Sequence, residues 1–101
     1  MLFRSKRVDG YLFKWDIAKA ETNRLKHGIS FDEATTVFSD PLSMLRTDPD
    51  HSLDEQRFIV LGMSNQRRLL VVAFAERPPW TRLISARRAT RKERRQYERE
   101  A

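Results

Sequence analysis

The chain of 101 residues has no cysteine, which excludes disulfide staples, thiolate metal ligands and a cysteine nucleophile, and disfavours a small extracellular scaffold. It has only two histidines, His27 and His51, and their spacing is not that of a metal-ligand pair. Its three glycines, Gly10, Gly28 and Gly62, stand alone, so no glycine-rich phosphate cradle exists and a dinucleotide enzyme is excluded. No apolar run approaches the roughly 20 residues that span a bilayer. Residues 1–10 carry three basic side chains but no long apolar segment of the secretory kind. A soluble, cytoplasmic protein without membrane association is expected. The length corresponds to one domain, large enough to bury roughly two thirds of its unfolded surface.

Charge of one sign is plentiful. Twenty Lys and Arg stand against fourteen Asp and Glu, for a net charge of +6, and fifteen of the twenty are Arg, the side chain that forks onto phosphate oxygens. Residues 1–50 hold eight basic and eight acidic side chains, whereas residues 51–101 hold twelve and six, so the whole excess lies in the second half. Between Arg77 and Arg99, nine basic residues face only Glu93 and Glu98. That stretch suits a polyanion, and equally suits a solvated helix face.

Local patterns give an α+β order. Val8-Asp9-Gly10 signals a turn, Tyr11, Phe13 and Trp15 alternate at strand spacing, and Asp16 caps a helix over 17–27 that Gly28 ends. Ser30-Phe31-Asp32-Glu33 is a capping box opening a second helix, with Phe31, Ala34, Val37 and Phe38 on one face, which Asp40-Pro41 stops. Leu42 to Arg46 is a short strand. The apolar runs Phe58 to Met63 and Leu69 to Ala75 read as central strands buried on both faces and joined as a hairpin, and Trp80 to Ala86 adds a third strand to the meander. Thr90 to Glu93 is a second capping box, opening a polar C-terminal helix whose one large apolar residue is Tyr97. The first two helices should pack on one face of a mainly antiparallel sheet.

Candidate chemistry is sparse. Asp48, Asp50, Asp54 and Glu55 form an acidic cluster, but Pro49 and His51 break any calcium-loop pattern, so no metal and no cofactor are expected. Acid-base chemistry on a phosphodiester remains: a base for the RNA 2′-hydroxyl, cations for the crowded phosphorane and an acid for the leaving oxygen. Glu55 and Arg57, two apart, share one face of a strand, and Arg87-Arg88 lies where a strand runs out. Lys26-His27 ends the first helix with a cation and a group titrating near neutrality. Glu55 or His27 is the expected base and Arg87, assisted by Arg57, the expected phosphate clamp, with Lys26, Arg82, Arg88 and Arg91 binding RNA. Bland alternatives stand beside these roles: His27 at a helix end favours the dipole, and Glu55 pairs with a strand arginine. Trp80, after two prolines, is the ring expected to be exposed, whereas Phe13 and Trp15 are expected in the core.

Trp15-Asp16, Ala18-Lys19-Ala20, Asn23, the block from Lys26 to Phe31 and Glu33-Ala34 closely resemble the opening of the BrnT toxins of bacterial type II toxin-antitoxin systems. Asp48-Pro49-Asp50-His51, Glu55 to Phe58, Leu61-Gly62, Leu69 to Val72 and the block from Arg82 to Thr90, with Glu93 and Tyr97, resemble later blocks of that family in the same order. The resemblance covers about residues 13–99. It implies a RelE-like fold and a metal-independent endoribonuclease that arrests translation. It also implies neutralisation by a BrnA-like antitoxin with a ribbon-helix-helix region, in a 2:2 complex that reaches operator DNA only through the antitoxin. Three departures stand out: Phe74 occupies a position where many members have Tyr, Arg67 replaces a frequent hairpin Gly, and Pro78-Pro79-Trp80 is unusual. Residues 1–10 read as an extension without a counterpart, ahead of a single domain over 11–101. A non-catalytic RNA- or DNA-binding module and a protein-interaction subunit are the competing readings.

Overall fold

The computed structural model describes residues 2–48 and 55–100. Asp50 and Asp54 of the acidic cluster lie outside them, as do Pro49 and His51. Among the described residues the elements run β1 (Phe3–Val8), β2 (Tyr11–Asp16), α1 (Ile17–His27), α2 (Phe31–Thr36), a 3-10 turn at Val37–Ser39, β3 (Met44–Thr47), β4 (Arg57–Met63), β5 (Leu69–Arg77), β6 (Trp80–Arg88) and α3 (Arg91–Glu100). The strands form one sheet in the order β1-β2-β6-β5-β4-β3. This is the expected α+β arrangement, with every neighbouring pair antiparallel except β2 and β6, which run parallel.

Apolar continuity dictates the centre of the sheet. β5 buries Leu69 to Val72, Phe74 and Ala75, and β4 pairs with it from Arg57↔Ala75 to Met63↔Leu69. One face carries Phe13, Trp15, Val60, Leu70, Val72, Phe74, Leu83 and Ala86, onto which Ile29, Phe31, Ala34 and Val37 pack as the main core. The opposite face carries Leu61, Leu69 and Val71, covered by α3 through Tyr97. Tyr97 donates its hydroxyl to Asp40 at 2.6 Å, and burial together with this bond pushes the phenol up to about 12. Arg57 and Ile59 lie on that face beyond the part α3 covers and stay half-buried, as do Phe58 on the other face and Met63 at the strand's end, which departs from the expectation of a run from Phe58 to Met63 buried on both faces.

Caps follow the sequence with one substitution of partner. Asp16 accepts from the backbone N–H of Ala18 and Lys19, and Gly28 ends α1 at φ +72°. Thr90 and Glu93 close their capping box in both directions. Ser30 caps Glu33 as expected, but the Glu33 carboxylate turns away to Ser64 and Arg68 instead of returning to the cap. Phe74 packs among Phe38 and Phe58 on the helix-covered face, where a tyrosine hydroxyl would need a buried partner.

Residues 3–8, read in the sequence as part of an extension, form a strand. A two-residue turn at Asp9-Gly10, with φ +48° and +87°, folds β1 back onto β2 over six registered pairs from Phe3↔Asp16 to Val8↔Tyr11. Two consecutive left-handed residues are what a tight hairpin of this twist demands.

Candidate active site

Strand alternation lays out the face that α3 leaves open. Arg57 on β4 is registered with Ala75 on β5, Ala75 with Arg82 on β6, and Arg82 with Lys14 on β2, so one row crosses four strands. The next row towards α3 reads Ser85, Ala73, Ile59 and Arg46, and the row after it Arg87, Val71, Leu61 and Met44. On β5 these first two rows hold only Ala75 and Ala73, a floor of small side chains, the first of them flanked by Arg57 and Arg82. A register irregularity lies between Ala73 and Phe74, the kind of local re-aiming often found beside active sites.

Glu55, two residues before Arg57, stands one row beyond the first, with its carboxylate among three guanidinium groups. Arg77 donates to its Oε2 from Nη2 at 2.8 Å and from Nε at 3.2 Å. Arg57 Nε lies 3.3 Å from Oε1, and Arg82 Nη1 lies 3.9 Å from Oε2. The Arg77 hydrogen bonds, followed by the fields of Arg77, Arg82 and Arg57, outweigh partial burial and hold the Glu55 carboxyl below its usual range. Although it is ion-paired with Glu55, Arg57 Nε is buried and, among the described residues, is the buried side-chain polar atom that makes no well-aligned hydrogen bond. An anionic ligand oxygen in line with that N–H would supply the hydrogen bond that Glu55 does not.

The other expected residues sit elsewhere. Arg87 shares the open face but lies three rows from Glu55, where Glu93 accepts from both its Nη1 and Nη2 at 2.9 and 3.0 Å. With Met44, Arg46, Ile59, Leu61 and Val71 this pair lines a small hollow under α3. Arg88 is registered with Leu70 and so points to the helix-covered face, opposite Arg87. Its field adds to those that hold Glu33 low. Arg91 is exposed at the start of α3. Lys26 and His27 line a groove between α1 and β6 together with Thr22, Asn23, Ile84 and Ser85, so the groove touches the second row at Ser85, but neither Glu55 nor Arg57 belongs to it.

The reason for that separation is Asn23, whose role sequence reasoning missed. Its amide donates to the carbonyls of Ala86 at 2.8 Å and Ile29 at 3.1 Å and accepts from the Ala86 N–H at 3.0 Å. It thereby acts as a strand substitute along the part of β6 that β2 leaves unpaired, and fixes α1 there. Arg77 was missed as well. The β4–β5 register is centred on Gln66, so extending it past β4 sets Glu55 level with Arg77, a pairing readable once the hairpin is drawn. Among the described residues no three His, Asp or Glu side chains converge as a metal-binding group.

A family model described as the ribonuclease toxin BrnT of type II toxin-antitoxin systems matches residues 15–93. Among solved structures, the ribonuclease toxin BrnT of Brucella abortus, a crystal structure at 1.1 Å resolution, is similar to this chain. Identity is 26%, the match covers 76% of this chain and 94% of that one, and the TM-score is 0.57. A search of curated proteins gives no match.

Proposed function

The chain belongs to the BrnT family of ribonuclease toxins of type II toxin-antitoxin systems, and from that premise we propose that its open sheet face cleaves RNA without a metal ion, with Glu55 as base and Arg57, Arg77 and Arg82 as phosphate ligands. The observation that carries this reading is the carboxylate of Glu55 held within 4 Å of three guanidinium groups at one end of a small-residue floor. A scissile phosphate entering that cluster takes over hydrogen bonds that Arg77 and Arg82 make or approach with Glu55. Sharing those cations with a second anion raises the basicity of the carboxylate where a base is needed. Glu55 then takes the 2′-hydroxyl proton, the 2′-oxygen attacks the adjacent phosphorus, and the P–O5′ bond breaks. The arginines meet the charge that develops on the phosphorane, and the leaving 5′-oxygen takes its proton from water in the open groove. The products are a 2′,3′-cyclic phosphate and a 5′-hydroxyl. On this reading the expected clamp Arg87 is a supporting cation beside α3, and Lys26 and His27 bind outside the reacting centre.

The partner belongs to the same reading. A toxin of this system is held by an antitoxin, and the chemistry that fits the basic face is a BrnA-like protein with a ribbon-helix-helix region, assembled 2:2 in the cytoplasm and carrying the complex to operator DNA. A net charge of +6 with the excess beyond residue 50 supports an acidic contact surface there. Purified chain incubated with single-stranded RNA and excess EDTA tests the enzyme reading. Fragments ending in 2′,3′-cyclic phosphate are expected, and activity that EDTA abolishes, or 3′-hydroxyl ends, would overturn it.

A further inference from the structure

The first row of the open face does not end at Arg82. Lys14 is level with Arg82 on β2, and its ammonium lies over two aromatic rings in cation-π contact, 5.5 Å from the ring centroid of Phe3 and 5.7 Å from that of Trp80. Phe3 belongs to the strand that the β1 hairpin adds, lies before the residues matched by the family model, and is 48% exposed. Trp80 follows the Pro78-Pro79 turn at the start of β6 and is half-buried. An exposed phenylalanine on an edge strand contributes nothing to the core, and edges of this kind are ordinarily blunted with charge, as Arg4, Lys6 and Arg7 blunt this one. Ring, cation, ring is the order base, phosphate, base of a single-stranded dinucleotide step. Stacking on aromatic faces and charge on the intervening backbone are the two terms by which proteins hold such strands.

We propose that Phe3, Lys14 and Trp80 form a subsite for two nucleotides of single-stranded RNA flanking the cleaved bond, in which a base stacks on each ring in place of the ammonium that lies over it in the free chain, and Lys14 moves onto the phosphate between the two bases. It rests on the ribonuclease reading and gives the N-terminal hairpin its role. The subsite lies one strand spacing, about 4.8 Å, beyond Arg82, so RNA crossing the sheet passes from Glu55 to Lys14 without leaving the face. β1 is fixed for this purpose by its six registered pairs and by the Ile17 N–H donating to the Leu2 carbonyl at 3.0 Å.

The test uses the full chain and an oligoribonucleotide whose 2′-hydroxyls are methylated, so that binding is read without cleavage, alongside the unmodified RNA. Trp15 is buried, so binding should quench the emission of Trp80, and the quenching should vanish in Trp80→Phe while affinity is kept. Phe3→Ala and Trp80→Ala should each weaken binding on the order of 10-fold and raise KM alike with kcat retained, and Phe3→Tyr should restore the parent's affinity. If both alanine variants bind and cleave like the parent, the subsite is absent while the ribonuclease reading stands. If the parent is quenched and the variants bind weakly but nothing is cleaved, the subsite stands and the ribonuclease reading falls. A parent that binds no methylated RNA overturns the subsite outright.

Discussion

Arg57 and Arg82 stand on either side of Ala75, each registered with it from a neighbouring strand, and both reach towards Glu55 over its methyl group. Ala75 is completely buried beneath them. A larger side chain there would keep the strand, since Val suits a sheet, but would push the two guanidinium groups and the carboxylate apart. Ala75→Val is therefore expected to keep its far-UV circular dichroism and to lose about 100-fold in RNA cleavage, the scale of a misplacement near 1 Å. A variant that cleaves like the parent would remove the floor from the account.

Glu33 and Arg68 supply a different kind of test, of stability alone. The Glu33 side chain is 1% exposed and accepts from the Arg68 guanidinium and, at 2.7 Å, from the Ser64 hydroxyl. The bond ties α2 to the β4–β5 turn. Arg68→Ala leaves a buried carboxylate without its cation, and urea unfolding should show a loss of about 3 kcal/mol. A loss under about 1 kcal/mol would mean that Ser64 and water satisfy the group unaided.

Much of the fold could be read from the chain because burial imposes pattern. β4 and β5 announce themselves as apolar runs, and Asp16, Ser30 and Thr90 mark helix starts that the structure keeps. β1 escaped for the converse reason: an edge strand written Phe-Arg-Ser-Lys-Arg-Val faces water along most of its length, so nothing forces an alternation that would betray it. Arg67 carries a related lesson. It takes φ +61° in the β4–β5 turn, a backbone setting that glycine adopts freely, so the glycine expected from the family resemblance has a conformational reason even though this chain does without it. Within the candidate site, the proximity of Glu55 and Arg57 is legible from their spacing. The place of Arg77 depends on the hairpin register and that of Arg82 on the order of strands, and His27, whose chemistry suits a base, is held away from this cluster because Asn23 fixes α1 along β6.

The Arg87–Glu93 pair sets an acid limit. Hydrogen bonds from Arg87 are the largest cause that brings the Glu93 carboxyl from its ordinary 4.5 to about 2. Because the folded value lies below the unfolded one, the stability this pair contributes is fully present above about pH 4.5 and is lost as pH falls through about 2. Glu93→Gln should therefore be less stable than the parent at neutral pH, with the gap in urea midpoint closing between pH 4.5 and 2. A gap independent of pH over that window would show that the carboxylate's charge is not what the helix start uses.

The most direct measurement compares single-turnover cleavage of single-stranded RNA by the parent and by Glu55→Gln, both in excess EDTA and both folded by circular dichroism. Gln keeps the shape and the hydrogen-bond acceptor but cannot take a proton. The rate should fall at least about 100-fold, the scale of a lost general base, while RNA binding weakens little or tightens as a negative charge leaves the arginine cluster. Cleavage by Glu55→Gln at the parent's rate would contradict the assignment of the base, and a parent that cleaves only after a divalent metal is returned would contradict metal-free cleavage at this cluster.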